Sequence, residues 1–253
     1  MDADMLSITY QDNIAVVKLD RGTTNAINLE LVAELASTIE RVQDDASLNG
    51  LVLGSSNDKF FSIGFDIPHL YDLAETDFTT FYQAFNRMCL ALLTLPKPTV
   101  AAITGHAIAG GCILTLCCDY RFIAEGRKLM GLNEIKLGVP VTYVADCILR
   151  DLVGFRIARE IEDGGDFYQP EESLRMGLVD RIIPINQVLP MAVEKVRVLG
   201  ELPEAAFMMI KHNRIEGIQT QLSAHLEGRE RFFIESWYSI ETRERLSEAM
   251  SKF

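Results

Sequence analysis

No stretch of this sequence reaches the roughly 18 consecutive apolar residues that would suggest a membrane-spanning helix, so none is expected. Basic residues are scarce: 24 Lys and Arg stand against 36 Asp and Glu, a formal net charge of −12. There is no basic stripe, which argues against nucleic acid as a partner, and the acidic surface argues against anionic membranes. Histidines are few, and His69, His106, His212 and His225 share no cluster. The five cysteines, Cys89, Cys112, Cys117, Cys118 and Cys147, are odd in number and lie mostly in apolar runs. A disulfide framework is not expected and a reducing compartment is. The adjacent pair Cys117-Cys118 lacks zinc-ligand spacing, so no metal site is expected. Neither G-x-G-x-x-G nor G-x-x-x-x-G-K-[ST] occurs, which sets aside both nucleotide fingerprints. The start, Met1-Asp2-Ala3-Asp4, is acidic, unlike a signal or transit peptide. The segment Ser251-Lys252-Phe253 approaches the peroxisomal S-K-L signal but has Phe in place of Leu. The expected location is the cytoplasm. No repeat of fixed period and no low-complexity linker is visible.

What the chain does have is a hydrophobic fraction of 48% over 253 residues, enough for a sizeable core. Leu6 to Tyr10 and Ile14 to Leu19 flank Gln11-Asp12-Asn13 and read as a hairpin. Leu29 to Gln43 reads as a helix capped by Asn28, with Leu29, Val32, Leu35, Ile39 and Val42 on one face. A long helix is expected over Phe78 to Leu95, ended by Pro96 and Pro98. Tyr143 to Leu152 and Phe155 to Ile161 read as helices broken at Gly154. From Gln187 onward nearly everything reads as helix, with breaks at Gly200 and Pro203.

Two stretches share a build. Leu51 to Gly54 reads as a buried strand, and after it comes Lys59-Phe60-Phe61-Ser62-Ile63-Gly64-Phe65-Asp66. Thr99 to Ile103 reads as another, and Gly105-His106-Ala107-Ile108-Ala109-Gly110-Gly111-Cys112 leads from it into a short apolar helix from Ile113. Glycine and alanine let the backbone approach a ligand closely. Two such loops, each after a buried strand, could aim two backbone N–H groups at one oxygen, the layout of an oxyanion hole.

These residues resemble the crotonase superfamily, also called the enoyl-CoA hydratase/isomerase family. Phe61 to Asp66 is similar to its F-S-A-G-x-D loop and Gly105 to Cys112 to its G-x-A-x-G-G-G loop. Cys118-Asp119-Tyr120-Arg121, Leu132 to Gly138 and Gly177 to Pro184 continue the match. The resemblance implies an α/β fold, a spiral of β-β-α turns over residues 1–190, with a C-terminal helical region, 191–253, that forms a homotrimer or a hexamer of two trimers. It implies an acyl-CoA thioester as substrate and no cofactor beyond the coenzyme A of that substrate. By resemblance the oxyanion donors are the N–H groups of Ile63 and Gly110. Asn25, Ala26, Ile27, Ser62, Asp66 and Ile67 would line the acyl-CoA site, and Lys252 would reach its phosphates.

The carboxylates narrow the chemistry. Family hydratases use two glutamates; one of the two positions is Ile113 here, and the other is Glu134. Apolar neighbours such as Leu132, Ile135, Leu137 and Ile113 would raise the pKa of Glu134 by desolvation. Its bland reading is a solvated carboxylate or an ion pair with Lys136. One glutamate suits the Δ3,Δ2-enoyl-CoA isomerases of the family, which move a proton from C2 to C4 and activate no water. Alternatives are a hydratase using other groups, with Tyr143 and Asp146 the nearest, and a silent acyl-CoA-binding subunit.

Overall fold

The computed structural model describes residues 5–251. In chain order it contains β1 (Leu6–Gln11), β2 (Ile14–Leu19), α1 (Leu29–Asp44), β3 (Gly50–Ser55), β4 (Phe60–Ser62), α2 (Ile67–Tyr71), α3 (Glu75–Thr94), β5 (Thr99–Ile103), β6 (His106–Ile108), α4 (Gly110–Leu116), β7 (Tyr120–Ala124), β8 (Met130–Gly131), α5 (Tyr143–Gly164), α6 (Pro170–Met176), β9 (Arg181–Ile183), α7 (Ile185–Gly200), α8 (Glu204–Trp237) and α9 (Ile240–Met250).

The first hairpin closes through Asp12 and Asn13, both at positive φ (49° and 62°), the two-residue turn whose twist matches that of its strands. β2 then pairs with β3 in parallel, and the sheet continues in the order β1-β2-β3-β5-β7-β9. Its middle strands are apolar on both faces, as parallel strands covered on both sides must be. Ala15, Val17, Leu51, Leu53, Ala101 and Ile103 belong to the main core with α1 and α3. Ile14, Val16, Val52, Val100 and Phe122 belong to a second core against Val188, Ala192, Val193 and Val196 of α7. The expected boundary at residue 190 falls inside α7, which covers the sheet.

A second sheet, β4-β6-β8, is wholly parallel and only two to three residues deep. The sequence reading has loops there. From β3 to α5 the chain therefore runs three times through long strand, short strand and helix, as a spiral of β-β-α turns requires. α4 starts at Gly110, three residues before the expected Ile113, and α3 starts at Glu75, ahead of Phe78. A third break separates α8 from α9, where the hydroxyl of Ser239 accepts from the Thr242 N–H at 3.3 Å as an N-cap.

α8 is fixed to the sheet by charge. Lys211 Nζ lies 2.9 Å from Asp119 Oδ2, both side chains only 3% exposed. Asp119 also accepts from the Thr99 N–H at 2.9 Å and pairs with Arg214 at 2.5 Å. This satisfies the expectation that the C-D-Y-R aspartate is a structural hydrogen-bonder. Farther along α8, Phe233 stacks on Tyr82 (4.1 Å between centroids) and Trp237 on Phe78 (4.4 Å). Phe65 meets Phe81 and Phe85 edge-on at 4.9 Å. Aromatic pairs of this kind are worth about 0.5–1.5 kcal/mol each beyond their buried area. Of the tail's large apolar residues, Leu222, Phe233, Ile234 and Trp237 are buried within the chain, whereas Met208, Ile210 and Phe232 are exposed.

Candidate active site

The site begins with two loops held against each other, one after β4 and one after β6. The Ser62 hydroxyl donates to the Asn25 carbonyl at 2.7 Å and accepts from the Gly64 N–H at 3.1 Å. Asn25, at φ 46°, donates through Nδ2 to Ser55 Oγ (2.9 Å) and the Phe61 carbonyl (3.0 Å), and accepts the Arg21 N–H at 2.8 Å. Ile27 donates its N–H to the Gly64 carbonyl at 2.8 Å and accepts from the Asp66 N–H at 2.9 Å. These bonds fix the first loop from behind. The second loop comes so near that a methyl group on Gly111 would lie 2.3 Å from the Ser62 carbonyl oxygen, and one on Gly64 would lie 2.8 Å from the Gly110 nitrogen. Ala109, between them, sits at φ 47° and ψ −122°, a region that residues other than glycine seldom occupy. Such strain persists only where the surroundings enforce it.

One sequence expectation is corrected here. The Ile63 N–H donates to the Thr24 carbonyl at 3.0 Å, so it is not free to bind a substrate oxygen. The N–H groups of Phe65 and Gly110 have no acceptor among the described residues. Of the two loops' cavity-lining residues, Phe65 and Gly110 therefore carry the free N–H groups, and Ile63 itself lines the cavity.

That cavity measures about 580 Å³ and is mostly apolar, with Phe65, Ile113, Leu137, Val139, Phe233 and Trp237 on its walls. Glu134 opens a short 3₁₀ turn, Glu134–Leu137, and lines the cavity while being 6% exposed. Its Oε2 is buried without a hydrogen-bond partner, as is Oδ1 of the neighbouring Asn133. Lys136 pairs instead with Asp166 at 2.6 Å. Burial in this apolar setting raises the Glu134 carboxyl from the ordinary range to about 7, where a general base is most effective at neutral pH.

Among the expected site residues, Ala26, Ile63, Asp66, Ile67, Gly110 and Glu134 line this cavity. Asn25, Ile27 and Ser62 stand behind it as supports, and Lys252 lies outside the described residues. Tyr143 and Asp146 line a neighbouring cavity. Sequence reasoning missed Arg21, whose guanidinium grips Asp66 at 2.6 Å and the Ala26 carbonyl at 2.7 Å, tying the two ends of the site together. It also missed His106, whose Nδ1 accepts from the Leu129 N–H at 2.9 Å. Burial, then the charges of Lys128, Arg127 and Lys59, hold that imidazole below its usual pKa. Those three cations surround His106, which lines the cavity, in an otherwise acidic protein. Phe233 and Trp237 were visible only as apolar tail residues.

The family model described as enoyl-CoA hydratase/isomerase matches residues 9–253. Human mitochondrial enoyl-CoA delta isomerase 1 is 30% identical over 199 residues, which cover 78% of this chain and 66% of that protein, just under two thirds of its length. A crotonyl-CoA hydratase of Syntrophomonas wolfei is 29% identical over 88% of this chain and 85% of its own. The crystal structure of human mitochondrial delta3-delta2-enoyl-CoA isomerase superposes with a TM-score of 0.94 at 25% identity, covering 98% of each chain.

Proposed function

The chain belongs to the enoyl-CoA hydratase/isomerase family, and from that premise we propose that it shifts a double bond between C3 and C2 of an enoyl-CoA. The thioester oxygen sits against the N–H groups of Phe65 and Gly110. Glu134 takes a proton from C2; the electron pair enters the C1–C2 bond and places negative charge on the thioester oxygen. The two donors stabilise that charge, and loss of one such donor costs on the order of 3 kcal/mol. The protonated Glu134 then returns its proton to C4 while the C3–C4 double bond moves to C2–C3. The enzyme needs no separate cofactor, since coenzyme A arrives with the substrate. The reading includes a homotrimer, or a hexamer of two trimers, in the cytoplasm, with the helical region from residue 191 carrying assembly.

The observation that carries the isomerase reading is the single available carboxylate. Two acidic side chains line the cavity, and Asp66 is held by Arg21. Glu134 is left with Ile113 where a hydratase would place its second glutamate. The resemblance to hydratases favours water addition as the second reading, but Tyr143 and Asp146, the nearest groups, line a different cavity.

A spectrophotometric assay separates the readings. An isomerase generates the conjugated thioester absorbance from 3-enoyl-CoA and leaves that of 2-enoyl-CoA intact. Loss of absorbance from 2-enoyl-CoA would establish hydration, and no change with either ester would establish a silent acyl-CoA-binding protein.

A further inference from the structure

Beside the cavity of Glu134 lies a second one of about 690 Å³. Val139 and Phe233 line both, so one layer of side chains separates the two. The shared wall is apolar; other lining residues are not. Asp146 and Arg150, on the first half of α5, form an ion pair at 2.8 Å. Glu162 comes from the second half of the same helix, which breaks at Gly154 (φ 77°, ψ 156°). Its Oε1 is buried and has no hydrogen-bond partner. Burial first, then the charge of Asp146 and a hydrogen bond shared with that carboxylate, raise the Glu162 carboxyl to about 8. Arg229 of α8 also lines the chamber, 5.5 Å from the centre of the Tyr143 ring and without a carboxylate partner among the described residues. The two arginines balance the charges of Asp146 and Asp163, the other acidic residue of this wall. The wall thus offers donors and acceptors with no net charge, beside a barrier of two apolar side chains leading to the reaction site.

We propose that this chamber is the distal acyl subsite of the active site, and that it takes chains whose far end carries an uncharged hydrogen-bonding group, a hydroxyl above all. The inference rests on the reading that the thioester lies at Phe65 and Gly110. An acyl chain extended from there past Glu134 meets Val139 and Phe233, and only displacement of the Phe233 ring from its stack on Tyr82 joins the chambers. A plain alkyl end adds nothing to the paired carboxyls of Glu162 and Asp146, whereas a hydroxyl can donate to the buried Oε1 of Glu162. Val139 and Phe233 are then the specificity-determining pair, and Glu162 recognises the chain end.

The test is a calorimetric titration with matched pairs of saturated acyl-CoA esters of increasing length, one alkyl-ended and one bearing a terminal hydroxyl. The hydroxylated ester of the best-fitting length should bind about fivefold tighter or better, the ratio that one hydrogen bond of ordinary strength provides. In Glu162→Leu and in Ser236→Trp, which fills the chamber from α8, that ratio should fall to one; if the first variant does not fold, the second decides. Equal affinities at every length in the wild type, or a preference that survives Ser236→Trp, overturns the subsite. Saturated esters require no turnover, so an intact preference in a protein that does not isomerise 3-enoyl-CoA refutes the reaction and leaves the subsite standing. Failure of every ester to bind overturns both.

Discussion

Glu134 is protonated more readily in the folded protein than in the unfolded chain, and two measurable effects follow. Turnover should rise with pH through about 7 and level off above it, because only the ionised carboxylate can take the C2 proton. Stability runs the other way. Between about 4.5 and 7 the folded state keeps a proton that the unfolded chain has released, so stability falls across that window as pH rises. Glu134→Gln removes the slope. It should cut isomerisation by at least about a hundredfold, yet melt higher than wild type at pH 8 by an amount equivalent to up to about 3 kcal/mol, with the gap closing towards pH 5. A variant no more stable at pH 8 than at pH 5, relative to wild type, would show that burial does not raise this carboxyl. Ile113→Glu, which restores a second carboxylate to the cavity wall, should introduce measurable hydration of 2-enoyl-CoA. A folded variant with none would show that pocket shape excludes water. At this scale the sequence pointed to Glu134 and Gly110, which line one cavity, because both lie in strongly patterned motifs. It named Ile63 as the other donor, and that N–H is already bonded to the Thr24 carbonyl. Whether Ile63 or Phe65 keeps a free N–H depends on the Thr24 carbonyl, which comes from a loop remote in sequence.

At the scale of elements, the long strands and helices were legible because their apolar periodicity extends over five or more residues. β4, β6 and β8 were not, since two or three residues carry no period and their parallel pairing is non-local. Yet these strands bring the two loops together. Gly111→Ala should therefore act on both fold and chemistry: its methyl would meet the backbone of Ser62 rather than a movable side chain. Turnover should drop at least about tenfold, more than a loss of stability alone explains while the protein stays folded. Kinetics and a melting curve on the same sample decide this, and normal turnover would mean the loops can part without harm. Gly154→Ala is expected to cost about 1–3 kcal/mol, because φ 77° with ψ 156° is open to glycine almost alone. Thermal unfolding measures the cost; an unchanged melting temperature would mean the kink is not fixed by that residue.

For the whole molecule, the spiral was legible from the order of its motifs, while the course of the tail was not. Helical periodicity indicates that α8 and α9 exist without revealing which residues fold back onto their own chain. α9 returns across the site: Thr242 Oγ1 donates to the Gly138 carbonyl at 2.8 Å, Leu246 is fully buried, and Ala249 and Met250 line the cavity. Met208, Ile210 and Phe232 stay exposed on α8. Deleting residues 245–253 should therefore weaken acyl-CoA binding more than it weakens assembly. Light scattering and a binding titration test this, and unchanged affinity in the truncated protein would defeat it. The hold of α9 on the turn after Glu134 also sets an order in time. On the ribosome, both sheets, and the glutamate itself, are made well before the helix that steadies them. A chain still being synthesised can thus complete its spiral and yet leave the turn of Glu134 unclasped, so the cavity wall is finished as a late and separate event, after the architecture is in place.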